Sequence, residues 1–270
     1  MIASPLDHPM IGSKKDAVYS AQDHHTWATL FKQQKQILPG YVAPQIIEGM
    51  EVLEIREDSI PSFELINTIL KEKSNFSVVP VKGLIPNDLF FQLLAERCFP
   101  STCFIRKQDQ LEYLVEPDVF HDVFGHVPLL AQPVFADFMQ AFGKKGLEAL
   151  DLGLYGYLAA LYWFTVEFGL IDTSDGLRIY GAGIISSIGE TPYAIDSGIP
   201  NRLIYDPKRM MKTQYKIDHF QKSYFVIQSY TQLFETLANI DLRAIKDELS
   251  NAPDIAEGIV NNPSEFYYSE

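Results

Sequence analysis

Two histidines lie five residues apart in the segment from Glu116 to Pro128, EPDVFHDVFGHVP. They are His121 and His126, in a chain that has six histidines in all. A later carboxylate, Glu167, follows a long apolar run, where an ionised group is costly unless it is paired or bound to a metal. Two imidazoles and one carboxylate are the ligands of a face-capping iron site, which leaves the opposite positions open for oxygen, water or substrate. These three residues predict an oxygen-using iron enzyme.

The spacing of the two histidines does not suit a regular helix. On an α-helix, residues five apart diverge by roughly 140°, whereas residues four apart diverge by roughly 40°. Both imidazoles can therefore reach one ion only if the backbone relaxes between them. Gly125 and Pro128 would permit a helix end or a widened turn at this point. We expect such a turn, and a regular helix over residues 121–128 would contradict the metal site.

Other interpretations of the same residues stay open at this point. An H-x4-H spacing alone is a weak signal, because histidines often serve as core residues or caps, and Glu167 could equally pair with an arginine. Iron is favoured over zinc because the motif contains no cysteine. Asp118 and Asp122 could accept ring N–H groups or could be helix N-terminal acids. The rival functions are a zinc hydrolase with an activated water and a non-catalytic metal-binding or interaction protein.

Composition and charge narrow the class of protein. The chain has 270 residues, 47% of them hydrophobic, and a formal net charge of −13. Nucleic-acid backbones and anionic membranes both demand basic patches, so we expect neither as a partner. The two cysteines, Cys98 and Cys103, do not form a CxxC motif and are interpreted as thiols in a reducing compartment. The N-terminus lacks the basic and apolar regions of a signal peptide. These features predict a cytoplasmic enzyme.

The elements that must position the site are predicted from apolar periodicity. We expect helices over residues 23–38, 41–53, 62–73, 87–96, 118–127, 132–143, 146–151 and 153–168, and helices with loops over 214–247. Strands are expected at 76–81 and 177–180, and a small hairpin with arms at 102–106 and 110–115. We divide the chain into an N-terminal arm (1–22), a catalytic domain (23–250) and an acidic, loop-like tail (251–270). The predicted fold is a single, mainly α domain with small β elements (α+β).

Four segments carry a resemblance to a known family: PVKGLI (80–85), YLVEPDVFHDVFGHVP (113–128), YWFTVEFGL (162–170) and YGAGIISSIGE (180–190). Together they resemble the pterin-dependent aromatic amino acid hydroxylases, and the likeness runs over residues 76–230. It implies the single-domain catalytic fold of that family, of the short bacterial type, as a monomer or small homo-oligomer. It also implies hydroxylation of L-phenylalanine to L-tyrosine with O₂ and tetrahydrobiopterin or a related reduced pterin.

The resemblance implies roles for particular residues. It makes His121, His126 and Glu167 the ligands of Fe(II). Arg106 corresponds to an arginine that grips the substrate carboxylate, and Asp118 would orient it. Further residues correspond to the surroundings of the substrate: Pro117, Trp163 and Phe168 to an apolar cage around its ring, Ser186, Ser187 and Gly183 to a loop beside its backbone, and Glu190 to an acid near the iron. Trp163 and Ile217 favour phenylalanine over tryptophan and tyrosine as the substrate.

The same resemblance implies a pterin site. Phe90 matches the aromatic residue on which the pterin stacks, and Gly83 and Ile85 would offer backbone groups to its edge. The alternative for Phe90 is plain core packing at helical spacing. Asp122 replaces a glutamate that reaches the pterin through water in animal members, so this contact would be shortened. Leu114 replaces a threonine beside the substrate pocket.

Overall fold

The computed structural model describes residues 4–13, 15–107 and 116–268. The helices in these ranges are α1 (Ala21–Ile37), α2 (Pro44–Val52), α3 (Phe63–Lys73), α4 (Asn87–Ala95), α5 (Val127–Leu130), α6 (Pro133–Leu152), α7 (Tyr155–Tyr162), α8 (Ala182–Ile185), α9 (Glu190–Asp196), α10 (Pro207–Met211), α11 (Tyr230–Asn239) and α12 (Leu242–Asn251). The same ranges also contain two π-helices, Phe120–His126 and Trp163–Glu167, and 3₁₀ turns at Pro5–Asp7 and Pro263–Glu265. None of the described helices has the length and apolarity needed to cross a membrane.

The strands form two small sheets and are β1 (Ser77–Val81), β2 (Cys98–Thr102), β3 (Leu170–Thr173), β4 (Gly176–Ile179), β5 (Asn201–Ile204) and β6 (Ser223–Ile227). Strands β1 and β2 pair in parallel, from Ser77 opposite Cys98 to Val81 opposite Thr102. The second sheet has the order β4-β3-β6-β5, in which β3 and β4 are antiparallel and the other pairs parallel. The predicted α+β fold, mainly helical with small sheets, is confirmed.

Helix α1 begins at Ala21, two residues before the start that the sequence predicted. Ser20 accepts a hydrogen bond from the backbone N–H of Asp23, and the Asp23 carboxylate accepts one from the N–H of Ser20. This reciprocal pair satisfies two N–H groups that the first turn leaves open. Asp23 is therefore the third residue of the helix, and Ser20 is the cap. Trp27, which is fully buried, fixes this helix against Phe120 of the first π-helix.

The helices expected at 132–143 and 146–151 are one continuous helix, α6. The prediction of a break was wrong because Gly143 and Gly146 serve packing and do not interrupt the hydrogen bonding. A Cβ at Gly143 would clash with the backbone of Leu94 and Ala95, and one at Gly146 would clash with the ring of Phe91. The two glycines let α4 approach α6 at backbone distance, which outweighs their low helix propensity.

Two further expectations need correction. The region 214–247 contains a central strand, β6, before helices α11 and α12. Its residues are buried throughout, so the alternation that marks a half-exposed strand is missing. The first arm of the expected hairpin is also wrong, because β2 ends at Thr102 and residues 103–107 are not a strand. The second arm, 110–115, lies outside the described residues, as does Leu114.

Candidate active site

A π-helix carries both histidines. In Phe120–His126 the backbone bonds run from residue i to i+5, so the turn is wider than in an α-helix. Residues five apart therefore lie on one face, and His121 Nε2 is 3.1 Å from His126 Nε2. The widened turn that the spacing predicted is confirmed. Gly125 lies against α8, as a position with no side chain allows.

A second π-helix delivers the carboxylate. The N–H of Phe168 donates to Trp163 O at 2.9 Å, and this wide turn ends at Glu167. Glu167 Oε1 lies 3.2 Å from His126 Nε2, and Oε2 lies 3.5 Å from His121 Nε2. Within the described ranges, these three residues are the only group of His, Cys, Asp or Glu that could hold a metal, with their ligand atoms all within 4.8 Å of one another.

The separations fit a single ion. Three ligands at about 2.1 Å from one centre would lie about 3.0 Å apart on an octahedron and about 3.4 Å apart on a tetrahedron. Burial lowers the pKa of His121 to about 4, which keeps its imidazole neutral. Burial opposes ionisation of Glu167 too, yet the imidazole of His126, whose own pKa Glu167 raises, holds the pKa of the Glu167 carboxyl below the usual value. Neutral imidazole and ionised carboxylate are the forms that bind a metal.

Ser186 sets the tautomer of His121. The Ser186 hydroxyl donates its one proton to Ala182 O at 2.9 Å, so we assign the 2.9 Å contact with His121 as donation by Nδ1–H to Ser186 Oγ. With the proton on Nδ1, the lone pair of Nε2 points to the metal position. Ser186 therefore contacts a histidine of the candidate metal site, and its expected place beside the substrate backbone stays a prediction.

A buried ion pair lies beside the histidine helix. Arg106 donates from Nε to Asp118 Oδ2 and from Nη2 to Oδ1, both at 2.9 Å. Asp118 is fully buried and Arg106 nearly so. Burial alone would raise the pKa of the Asp118 carboxyl, but the guanidinium holds it below its ordinary value. Asp118 Oδ1 also accepts a hydrogen bond from the backbone N–H of His121, so one carboxylate connects Arg106 to the histidine helix.

Two of the predicted cage residues flank the second π-helix: Trp163 is its first residue and Phe168 directly follows its last. The rings of Trp163 and Phe168 are 4.6 Å apart, and Trp163 also stacks on Tyr215 at 4.5 Å with 16° between the planes. Trp163 Nε1–H donates to Gln221 Oε1 at 2.9 Å. Trp163 is half-buried, as is Pro117, which directly precedes Asp118. Tyr215 and Gln221 were not among the predicted site residues.

Asp122 joins the histidine helix to β2. Its Oδ2 accepts the N–H of Thr102 at 2.8 Å and the Thr102 hydroxyl at 3.0 Å. Burial raises the pKa of the Asp122 carboxyl to about 7. The carboxylate that was expected to reach a pterin is thus engaged with the protein through one oxygen. Thr102 is another contributor that the sequence interpretation did not include.

The expected pterin residues lie on the loop after β1 and on α4. Gly83 has a φ of +77°, which favours glycine, and a Cβ there would lie 3.3 Å from Glu116 Oε1. Ile85 packs with Leu89 of α4 and its neighbours. Phe90 is half-buried, and its ring centroid is 5.5 Å from that of Tyr162, the residue before Trp163.

Glu190 begins α9 and is buried. Its Oε1 accepts the N–H of Gln221 at 3.0 Å and the hydroxyl of Tyr224 at 2.7 Å. Burial raises the pKa of this carboxyl to about 7 even though both hydrogen bonds lower it. The acid predicted to lie near the iron thus contacts the residue that also bonds Trp163.

The model of one protein family, described as biopterin-dependent aromatic amino acid hydroxylase, matches residues 11–250 of the chain. The chain is 54% identical over 220 residues to the phenylalanine-4-hydroxylase of Chromobacterium violaceum, covering 82% of this chain and 74% of that protein. It is 49% identical over 242 residues to the phenylalanine-4-hydroxylase of Ralstonia nicotianae, covering 90% and 77% respectively.

Solved structures agree with these sequence similarities. The crystal structure of the C. violaceum phenylalanine hydroxylase bound to cobalt matches with a TM-score of 0.89 and 50% identity, covering 92% of this chain and 88% of that one. A mutant of the same enzyme matches with a TM-score of 0.92 and 47% identity, covering 96% and 93%.

Proposed function

Because the chain belongs to the biopterin-dependent aromatic amino acid hydroxylases, we propose that it is a monooxygenase that converts L-phenylalanine to L-tyrosine. One atom of O₂ enters the para position of the substrate ring, and a tetrahydropterin is the reductant. The observation that carries this proposal is the clustered His121, His126 and Glu167 ligand atoms beside an aromatic cage, in a chain about half identical to phenylalanine-4-hydroxylases.

We propose Fe(II) as the resident metal. Two imidazoles and one carboxylate on one face are the ligand set of non-haem iron oxygenases, and they leave the opposite positions open. A relative is described with cobalt, another divalent ion that accepts such ligands. Bound iron and reduced pterin would supply the activation of O₂ and two electrons. His121, fixed by Ser186, and Glu167, fixed by its place at the end of a π-helix, would hold the ion together with His126.

The substrate is held by two parts of the site. We propose that Arg106 pairs with the α-carboxylate, because a planar guanidinium matches a carboxylate with two parallel donors and recognises it specifically. Asp118 keeps the guanidinium plane in place. Trp163, Phe168 and Pro117 would surround the ring, exclude water and direct its para carbon to the metal.

The pterin would lie between the loop after β1 and α4. Phe90 offers a half-buried aromatic face for stacking, and Gly83 and Ile85 offer backbone groups to the edge of the ring. Asp122 has one oxygen bonded to Thr102, so we propose that its other oxygen reaches the pterin through water. The division at residues 22 and 250, a monomer or small homo-oligomer and a cytoplasmic location remain predictions.

The first experiment measures tyrosine formed from L-phenylalanine by the full chain, with Fe(II), O₂ and tetrahydrobiopterin each omitted in turn. We expect turnover that requires all three. His121→Ala and Glu167→Ala should lose both turnover and the one iron bound per chain. His25→Ala is the matched control, because His25 is exposed on α1 and should retain both.

Two outcomes would contradict this function. One bound iron without tyrosine formation would reject phenylalanine hydroxylation and redirect the search to other aromatic substrates. Bound zinc with pterin-independent hydrolysis would reject the monooxygenase itself and favour the metallo-hydrolase alternative.

A further inference from the structure

The indole of Trp163 is fixed by a hydrogen bond from outside its own helix. Its Nε1–H donates to Oε1 of Gln221, which lies 58 residues later and two residues before the start of β6. Gln221 is 5% exposed, so this bond is shielded from competing water. The side chain of a tryptophan rotates about two bonds, and the hydrogen bond to Gln221 selects one of its rotamers.

The orientation of the Gln221 amide is itself determined. Its Nε2 donates to the carbonyl oxygens of Lys216 at 2.9 Å and His219 at 3.4 Å. If the amide were flipped, Oε1 would face two carbonyl oxygens and Nε2 would face the indole N–H. Both contacts would then be repulsive, so only one orientation satisfies the site.

The backbone of Gln221 is also anchored. Its N–H donates to Glu190 Oε1, and that oxygen also accepts the Tyr224 hydroxyl, which is fully buried. Gln221 is therefore hydrogen-bonded through its main chain to Glu190 of α9 and through its side-chain amide to the loop 216–219. The acceptor, Gln221 Oε1, is therefore held in place. The indole of Trp163 must take the orientation in which its N–H reaches that oxygen.

We propose that Gln221 is a positioning residue for the hydroxylation: it fixes the indole of Trp163 and thereby the wall of the cage that orients the substrate ring. This inference rests on the proposed function, because it takes Trp163 as part of the substrate cage. Gln221 acts through Trp163 and not by touching the reacting atoms. A small rotation of the indole would move the ring of the bound substrate relative to the metal, and productive hydroxylation is sensitive to such displacements.

The test replaces Gln221 with methionine, which has a similar length but cannot accept the indole N–H strongly. We expect the KM for phenylalanine to rise roughly 3- to 10-fold, the size expected for one lost hydrogen bond. The KM for tetrahydrobiopterin should be unchanged, and fewer tyrosines should form per pterin oxidised. Gln214→Met is the matched control, because Gln214 lies in the same loop with an exposed side chain.

A double-mutant cycle separates positioning from loop folding. Trp163→Phe removes the indole N–H while keeping an aromatic ring, so Gln221→Met should then change the phenylalanine KM by less than about 2-fold. If Gln221 served only to fold the loop, its replacement would have the same effect in both backgrounds, and the proposal would be rejected.

Nuclear magnetic resonance provides a readout that is independent of turnover. The chain has two tryptophans, and the other, Trp27, donates its Nε1–H to Arg56 O. Two indole N–H signals are expected, with the Trp163 signal identified by its loss in Trp163→Phe. In Gln221→Met, the Trp163 signal should shift and exchange faster with solvent, while the Trp27 signal stays in place.

The wild-type chain alone can also reject the proposal. If Gln221→Met does not fold, a Trp163 indole proton that exchanges as fast as a free indole in the wild type would show that the bond is not held. A wild-type chain without phenylalanine hydroxylation would instead refute the proposed function. Normal wild-type turnover with an unchanged KM and yield in Gln221→Met would refute only the role of Gln221.

Discussion

Gly125 and Ala182 lie so close that a Cβ added at Gly125 would be 2.9 Å from the carbonyl oxygen of Ala182 and 3.1 Å from its Cβ. This contact presses the histidine π-helix against α8, the short helix that precedes Ser186. Because Ala182 O accepts from Ser186 and Ser186 bonds His121, two hydrogen bonds connect this contact to a proposed metal ligand. The distance between the two helices therefore affects the orientation of the His121 imidazole.

Gly125→Ala should lower both stability and metal affinity. The obstructing atom is a backbone carbonyl that cannot rotate aside, so we expect a loss of about 1–3 kcal/mol in the free energy of unfolding. Iron bound per chain should also fall at limiting Fe(II). Gly156→Ala is the control, since a Cβ in α7 would meet no atom within 4 Å. It should be neutral or stabilising, and equal destabilisation by both changes would contradict the argument.

Asp118→Asn should destabilise the protein and weaken substrate binding without removing iron. It removes the Asp118 charge from the buried pair with the Arg106 guanidinium, which costs about 3 kcal/mol. The KM for phenylalanine should rise at least about 10-fold, because the proposed carboxylate grip loses its support. Asp137→Asn provides the comparison, because Asp137 pairs with Arg97 but is 47% exposed. Its effect should stay below about 1 kcal/mol; a fully stable Asp118→Asn would count against the buried pair.

Glu190 predicts a pH dependence of stability. Burial raises the pKa of its carboxyl from 4.5 to about 7, so folding favours the protonated form. Its contribution is complete below pH 4.5 and is lost as the pH rises to about 7. The free energy of unfolding of the wild type, minus that of Glu190→Gln, should fall by roughly 3 kcal/mol over this range. Gln keeps the acceptor for Gln221 and Tyr224.

Glu265→Gln supplies a control of opposite sign for that titration. Burial opposes ionisation of Glu265, but Arg209 holds the pKa of the Glu265 carboxyl below 4.5. The contribution of Glu265 to the free energy of unfolding is therefore present at neutral pH and is lost as the pH falls. Denaturant unfolding at several pH values measures both differences. A Glu190 difference that stays level or rises between pH 4.5 and 7 would show that this carboxyl is not protonated in the folded protein.

Phe90→Ala should separate the two organic ligands. If the half-buried face of Phe90 carries the pterin, its loss should raise the KM for tetrahydrobiopterin roughly 10-fold, as expected for one lost stacking contact. The KM for phenylalanine should change by less than about 2-fold. Phe90→Leu keeps apolar volume next to Tyr162 and therefore controls for packing. Equal rises in both constants would favour the alternative that Phe90 is plain core.

The histidine pair and Glu167 could be predicted because each differs chemically from its surroundings. A five-residue spacing with a glycine inside it conflicts with an α-helix, and this conflict itself predicted the widened turn that the π-helix provides. Glu167 is conspicuous because it follows an apolar run. The helices of the first hundred residues were predictable for a similar reason, since their apolar residues recur with helical spacing.

Gln221 and Tyr215 could not be predicted in the same way. An amide and a phenol are common on any surface, and these two gain their role only when a loop returns to Trp163 across the fold. Strand β6, which begins two residues after Gln221, is buried along its whole length, so its apolar run does not distinguish strand from helix. Long-range contacts of this kind carry no local signal.

The segment that follows α12 has a consequence for the timing of biosynthesis. Its residues bond to the region around Trp163's partners: Ile255 pairs with Thr213, Glu257 accepts from Lys222, and Phe266 pairs with Leu203 of β5. A ribosome makes this segment long after it has made the histidine helix. The loop that fixes Trp163 therefore receives these supports later than the anchors that Gln221 finds in Glu190 and in the carbonyl oxygens of Lys216 and His219.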